Sequence, residues 1–154
     1  MSISSAKMDK HYDNLKLKGY KKVKLKISKT NHLIIKAKIN GIDGNFILDT
    51  GASSSCVDFN DIHHFQLTAE DSLTKAAGAG AVGMDTQLSA NNLLQLGRWK
   101  TEDFSLVIFD LSHVNLALEQ YKAKRVHGII GADILIKGKG IIDYDGEYFY
   151  LKGG

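Results

Sequence analysis

The residues best suited to chemistry in this chain are one carboxylate and the small residues after it. Asp49 directly follows the apolar run Phe46-Ile47-Leu48 and precedes Thr50-Gly51-Ala52-Ser53. Gly51 lets the backbone turn at once and approach a ligand, and the Thr50 hydroxyl can bond a neighbouring main chain. A carboxylate at the edge of a hydrophobic core either activates water or caps the following turn. The motif alone leaves both interpretations open.

Two other glycine-containing segments stand out. Ile129-Ile130-Gly131-Ala132-Asp133 indicates a buried strand that turns sharply into a short helix. The stretch from Ala76 to Gly83 contains too much glycine for a helix and has polar, strand-capable flanks, which predicts a flexible hairpin.

The elements that must position these segments are mostly strands. A two-residue hydrophobic period begins at Tyr20 and predicts strands at 20–28 and 32–39, and a tight reversal at Asn40–Gly44 leads into the strand before Asp49. Further strands are expected at 93–96, 104–109, 141–144 and 148–151. Short helices are expected within 58–67, from Ser112 and after Gly131. The prediction is an all-β protein, mainly strands with two or three short helices.

Length and composition favour one domain. The chain has 154 residues, 44% of them hydrophobic and 24% charged, which is typical of a soluble globular protein. Residues 1–19 are polar and weakly patterned, which predicts an N-terminal arm or tail, and residues 20–154 are assigned to a single domain. No apolar stretch approaches the roughly 18 residues that span a membrane, and the first residues lack the apolar middle of a secretory signal. We therefore expect a cytoplasmic protein with no membrane partner.

The small net charge of +3 hides an asymmetry, because residues 1–40 hold eleven lysines against two acidic residues. In Lys22–Ile27 lysines alternate with apolar residues, which is typical of a strand with one solvent-exposed face and one buried face. This pattern favours a structural role over a nucleic-acid surface, which stays a distant alternative and would show steep salt dependence.

Other reactive residues carry weaker patterns. The single Cys56 excludes an internal disulfide and a thiolate zinc site. Adjacent His63 and His64 do not easily point at one metal, and a thiol protease built from Cys56 and either histidine lacks its third orienting residue. The sequence therefore predicts no metal and no cofactor.

In context, Leu48-Asp49-Thr50-Gly51-Ala52-Ser53 resembles the active-site loop of aspartic proteases, in particular the small bacterial members of the retroviral-type (retropepsin-like) group. The strands and Asn-Gly turn before Asp49 are similar to the opening hairpin of that family. The 129–133 segment is similar to its second apolar-apolar-Gly element, marked by Ile129, Ile130, Gly131 and Asp133. The glycine-rich stretch resembles its mobile flap, at Gly78, Ala79, Gly80, Val82 and Gly83.

The resemblance implies a closed acid-protease β-barrel and an aspartic endopeptidase (a hydrolase). That chemistry needs two aspartates that share a proton, and the chain has one Asp-Thr-Gly, so the resemblance implies a homodimer in which two copies of Asp49 meet. Asp133 matches a position that opens a structural helix. Thr50 would bond across the dimer, Gly51 would lie close to water and substrate, and residues 148–151 could pair across the dimer. The implied substrate is a peptide or an unfolded protein.

The main alternative is a catalytically silent module of the same fold and dimer, which binds peptides or proteins without cutting them. An intact Asp49-Thr50-Gly51 favours chemistry, whereas the unusual flap sequence and the extra segment at 110–127 leave room for binding alone.

Overall fold

A computed structural model of the chain describes residues 11–71 and 86–154, and all structural statements below concern those residues. Strands dominate, as predicted. They are β1 (Tyr20–Ile27), β2 (Leu33–Ile39), β3 (Ile42–Leu48), β4 (Cys56–Asp58), β5 (Glu70–Asp71), β6 (Gln87–Leu96), β7 (Trp99–Phe109), β8 (Gly128–Ile130), β9 (Ile141–Asp143) and β10 (Tyr148–Lys152). The helices are α1 (11–17), α2 (Ser112–Gln120) and α3 (Ala132–Lys137), with a 3-10 turn at Phe59–Asp61.

Six of the strands form a closed barrel. They pair in the order β2-β3-β8-β4-β7-β6, and β6 pairs back onto β2 through Gln95 and Leu94. The predicted reversal at Asn40 is present, because Asn40 and Gly41 both have positive φ angles and connect β2 to β3 in a tight hairpin. The closed, mainly β architecture expected from the sequence is confirmed.

Alternation of side chains decides which residues enter the barrel. In β3, Phe46 and Leu48 join the main hydrophobic core, and in β2 the alternate residues Leu33 and Ile35 join it too. Ile47 instead belongs to a second apolar cluster on the outer face of the barrel. The sheet around β3 is therefore apolar on both sides, which explains why Phe46-Ile47-Leu48 is a continuous apolar run.

A three-stranded antiparallel sheet of β1, β10 and β9 extends the barrel. Both edges of β10 are occupied, because Tyr20–Lys24 pair on one side and Ile141–Asp143 on the other. The suggestion that residues 148–151 pair across a dimer is therefore wrong for this structure, since that strand has no free edge.

The part of the predicted arm that the structure describes is helical and docked. In α1, Leu15 is buried, and the rings of His11 and Tyr12 contact Tyr150 at centroid distances of 5.9 and 6.1 Å. Spacings of three and four residues place these side chains on one helical face, a pattern too short to recognise in the sequence. Among the described residues, no helix is long and apolar enough to cross a membrane.

Candidate active site

Asp49 lies where β3 leaves the barrel wall. Its backbone N–H donates to the Ile130 carbonyl of β8 at 2.9 Å, so the end of β3 is fixed to the neighbouring parallel strand. The carboxylate is exposed, and its Oδ1 accepts the Gly51 N–H at 2.8 Å. The buried strand therefore holds the backbone rigidly and presents an accessible carboxylate that the loop has already oriented.

The other loop residues differ in their surroundings. Thr50, Gly51 and Ser53 are exposed, and within the described residues the Thr50 hydroxyl makes no hydrogen bond. Ala52 is half-buried, and its backbone N–H donates to the Asp49 carbonyl at 3.2 Å, which closes the turn.

The second glycine element lies directly against this loop. Ile129 and Ile130 run parallel to Ile47 and Leu48, as β8 beside β3. Gly131 then precedes α3, and a side chain there would begin 2.6 Å from the Ala52 carbonyl oxygen. The next backbone N–H, that of Ala132, donates to the same oxygen at 2.7 Å. The two segments singled out in the sequence are therefore in contact, and glycine at 131 is required by that contact.

Asp133 has a different environment from Asp49. Its Oδ2 accepts the Ser55 N–H at 3.0 Å, and its Oδ1 accepts the Ser55 hydroxyl at 2.7 Å and the Ile134 N–H at 2.9 Å. Ser55 Oγ in turn accepts the Gly131 N–H at 3.0 Å. Both Asp133 oxygens are thus engaged in holding the two segments together, which leaves Asp49 as the accessible carboxylate of this site.

Sequence reasoning missed Ser55. It lies in the run Ser53-Ser54-Ser55, and nothing in that run marks the third serine as buried and bonded. Only the contact with Asp133, 78 residues away in the chain, reveals its role.

An apolar row crosses the outer face beside Asp49. The register aligns Ile47 of β3 with Ile129 of β8, Ile129 with Cys56 of β4, and Cys56 with Val107 of β7. Because Asp49 lies two residues beyond Ile47, alternation places its side chain on the same face. The row and Ala52 belong to one cluster with Leu111 and Leu118, so the segment around α2 covers the outer face next to the candidate site.

Cys56 is part of this covered row and is 8% exposed. Burial is the main cause that raises the pKa of its thiol from 9.0 to about 12; a backbone hydrogen bond with Ile129 opposes this effect, and the nearby carboxylates of Asp133, Asp49 and Asp58 add to it. A thiol in this environment is a poor nucleophile, which agrees with a structural role for Cys56.

Charged residues anchor the far end of the α2 segment. Arg125 pairs with Asp61 at 2.7 Å and with Asp58 at 3.4 Å, and both carboxylates are buried. Asp58 also caps the 3-10 turn by accepting the Asn60 N–H at 3.3 Å. Next to this pair, His127 Nδ1 accepts the Asn45 N–H of β3 at 3.1 Å. The loop from 122 to 127 is therefore tied both to β3 and to the 3-10 turn.

His64 stacks on His127 with ring centroids 5.1 Å apart, and His63 is exposed. In the part of the chain that the structure describes, no three His, Cys, Asp or Glu side chains are grouped so that they could hold a metal ion. The flap residues expected from the sequence, Gly78, Ala79, Gly80, Val82 and Gly83, lie outside the described residues.

A sequence profile of the family described as Aspartyl protease matches residues 35–134. The chain belongs to the aspartyl protease family. The matched span begins within β2 and ends within α3, so it includes both the Asp49 loop and the 129–133 element. A search of curated protein sequences finds no significant match.

Solved structures of similar fold include one aspartic protease and one protease-like domain. A retropepsin-like aspartic protease from Rickettsia conorii is 17% identical with a TM-score of 0.55, and the match covers 86% of this chain and 90% of that one. The retroviral protease-like domain of Ddi1 from Leishmania major is 15% identical with a TM-score of 0.52, over 78% and 87% of the two chains. These similarities show that this member of the aspartyl protease family has the retropepsin-like fold.

Proposed function

We propose that this chain is an aspartic endopeptidase that hydrolyses peptide bonds as a homodimer. The observation that carries the proposal is the contrast between its two candidate carboxylates. Asp49 is exposed at the end of a rigid strand, whereas both oxygens of Asp133 are bonded to Ser55 and Ile134. Each chain thus offers one accessible carboxylate at the candidate site, and the proposed two-fold symmetry supplies the second.

In the proposed mechanism, two Asp49 carboxyls share one proton and hold a water molecule between them. The ionised Asp49 takes a proton from this water, whose oxygen attacks the peptide carbonyl carbon. The protonated Asp49 donates its proton to the carbonyl oxygen, and the product is a neutral tetrahedral diol. The Asp49 that took the proton from water then gives it to the leaving nitrogen while the other Asp49 takes a proton from one diol hydroxyl, so the carbon–nitrogen bond breaks into a carboxylic acid and an amine and the pair again shares one proton. No covalent enzyme intermediate is needed.

The loop residues have supporting roles in this proposal. The Gly51 N–H holds Asp49 Oδ1 in position, and the free Thr50 hydroxyl is available to bond the second subunit. A peptide substrate would lie extended across the dimer and add main-chain hydrogen bonds.

The direct test compares wild type with Asp49→Asn on a denatured protein substrate, from about pH 4 to pH 7. Asn keeps the shape and the acceptor for Gly51, so the variant should fold normally and produce no fragments. Asp13→Asn, at an exposed carboxylate on α1, is the matched control and should cut as well as wild type.

Subunit mixing tests the dimer. When equal amounts of wild type and Asp49→Asn exchange subunits, cleavage per wild-type chain should fall to about one half, because half of the wild-type chains then lie in inactive heterodimers. Cleavage that is unchanged by mixing would contradict a shared site. Binding of peptides by wild type without any cleavage would instead identify the protein as a silent binding module.

A further inference from the structure

The register of β2 and β3, continued by one pair, brings His32 opposite Asp49, although the two are 17 residues apart in the sequence. The pairing of β2 with β3 ends with Leu33 opposite Leu48, so the next pair in this register is His32 opposite Asp49. The backbone N–H of Asp49 points away from β2, to Ile130, while the His32 carbonyl accepts the Ser28 N–H at 2.9 Å. Residues opposed in this way form a non-hydrogen-bonded pair, in which side chains approach most closely.

The His32 ring is held by its own hairpin. Ser28 Oγ lies 2.7 Å from Thr30 Oγ1, which lies 2.6 Å from His32 Nδ1, and the His32 N–H donates to Ser28 Oγ at 3.1 Å. Among the described residues no partner contacts Nε2. The exposed imidazole therefore has one nitrogen fixed and the other available to a ligand at the edge of the candidate site.

Exposed lysines on β1 and β2 lie on the same face of the sheet as His32. Leu25 and Ile35 enter the main core, so alternation directs Lys24, Lys26 and Lys36 outward, to the face that carries Asp49. Lys26 is paired with Ile34, which follows His32 by two residues and therefore lies on the same face of β2. We call Lys24, Lys26, His32 and Lys36 the basic rim.

Among the described residues, no carboxylate forms an ion pair with the basic rim. Across residues 11–71 and 86–154, the ion pairs found are those of Arg125 with Asp58 and Asp61, and Asp58 lies on β4, which β8 and β3 separate from β2. Exposed cationic groups that line one side of a site attract anionic ligands and lose that attraction as salt increases.

We propose that the basic rim binds acidic side chains of a peptide that lies across Asp49, so that the substrates are acidic segments of peptides or unfolded proteins. This inference rests on the proposed function for the reaction, but binding to the rim does not require cleavage. Each exposed charge pair contributes little, so several together should set a preference rather than an absolute requirement.

The test measures binding and cleavage separately. Three fluorescent peptides of equal length differ only in carrying Glu, Gln or Lys at the same three positions, and fluorescence anisotropy measures their binding to Asp49→Asn. The Glu peptide should bind about tenfold more tightly than the Gln peptide at low salt and lose most of this advantage at about 0.3 M salt. The Lys peptide should bind most weakly.

Two double variants with the same chemical changes test whether the preference for the Glu peptide comes from the basic rim. Lys26→Glu with His32→Gln should weaken binding of the Glu peptide about fivefold to tenfold and leave the Gln peptide nearly unchanged. Lys100→Glu with His113→Gln makes the same chemical changes at exposed residues of β7 and α2, and should change binding less than about twofold.

The results separate this inference from the proposed function. Equal binding of Glu and Gln peptides, equal losses in the two double variants, or tighter rim-dependent binding of a DNA oligonucleotide than of the Glu peptide would overturn the basic rim as a peptide site. A Glu preference that depends on the rim, together with no cleavage by wild type, would support the rim and contradict the endopeptidase.

Discussion

Ser55 and Asp133 are 78 residues apart, yet two hydrogen bonds join them, from the Ser55 hydroxyl to Oδ1 at 2.7 Å and from its N–H to Oδ2 at 3.0 Å. Ser55 is 2% exposed and follows the Asp49 loop, while Asp133 lies at the start of α3. The pair therefore fixes the distance between the two segments that form the candidate site.

Asp133→Ala should destabilise the protein strongly, because it removes the acceptor for three donors and leaves the buried Ser55 hydroxyl without its acceptor. We expect the free energy of unfolding in urea to fall by about 2–4 kcal/mol. Asp13→Ala, at an exposed position on α1, should change it by less than about 0.5 kcal/mol. A similar small change for both variants would mean that the Ser55–Asp133 contact does not hold the site together.

Leu118 and Leu116 provide a second matched comparison on α2. Leu118 is 1% exposed within the outer apolar cluster, whereas Leu116 is 55% exposed. Leu118→Ala should lower the free energy of unfolding by about 2–5 kcal/mol, and Leu116→Ala by less than about 0.5 kcal/mol. Chemical denaturation measures both. Equal effects would show that α2 does not cover the barrel wall as described.

The reactivity of the Cys56 thiol measures how well the α2 segment covers the outer face of the barrel, and this measurement needs no activity assay. It is the only cysteine, it is buried under the α2 segment, and burial raises the pKa of its thiol to about 12. At about pH 8 the folded protein should react with a thiol reagent on the order of a hundredfold more slowly than the unfolded chain. Labelling should become faster in Leu118→Ala and stay slow in Leu116→Ala. Rapid labelling of the folded wild type would contradict the burial of Cys56 under the α2 segment.

His127 should make the protein less stable in mild acid. Burial lowers the pKa of its imidazole, and Arg125 and His64 lower it further, while Asp61 opposes them. The folded protein therefore resists a proton that the unfolded chain accepts, so the stabilising effect is present above about pH 6.5 and is lost as the pH falls through the lowered pKa. Because the ring is only partly buried, the loss between pH 7 and pH 5 should be no more than about 1 kcal/mol.

The measurement is the urea midpoint as a function of pH. His127→Gln should show a weaker decline below pH 6.5 than wild type, whatever its stability at neutral pH. His113→Gln, at an exposed residue of α2, should keep the wild-type decline. The same decline in all three proteins would remove His127 as its cause.

The sequence predicted the candidate loop because its signals are local. The apolar run before Asp49, the turn residues after it and the Ile129-Ile130-Gly131 pattern each span a few residues, and backbone geometry restricts what such patterns can form. The two-residue period from Tyr20 likewise predicted the first two strands, which β1 and β2 confirm. The helix in residues 11–17 was missed because few positions carry its apolar face, and Leu15 becomes buried only on a sheet that includes the distant β10.

By itself, the sequence determined a mainly β chain with a sharp turn directly after the buried strand that precedes Asp49, because side-chain period and turn chemistry act between neighbouring residues. Only the tertiary structure decided that Asp133 is bonded to Ser55, that β10 has no free edge and that the register of β2 and β3 ends with Leu33 opposite Leu48, next to His32 and Asp49. These relationships depend on which strands pair and in what register. That choice is made when the whole chain buries its apolar surface, and no short segment contains it.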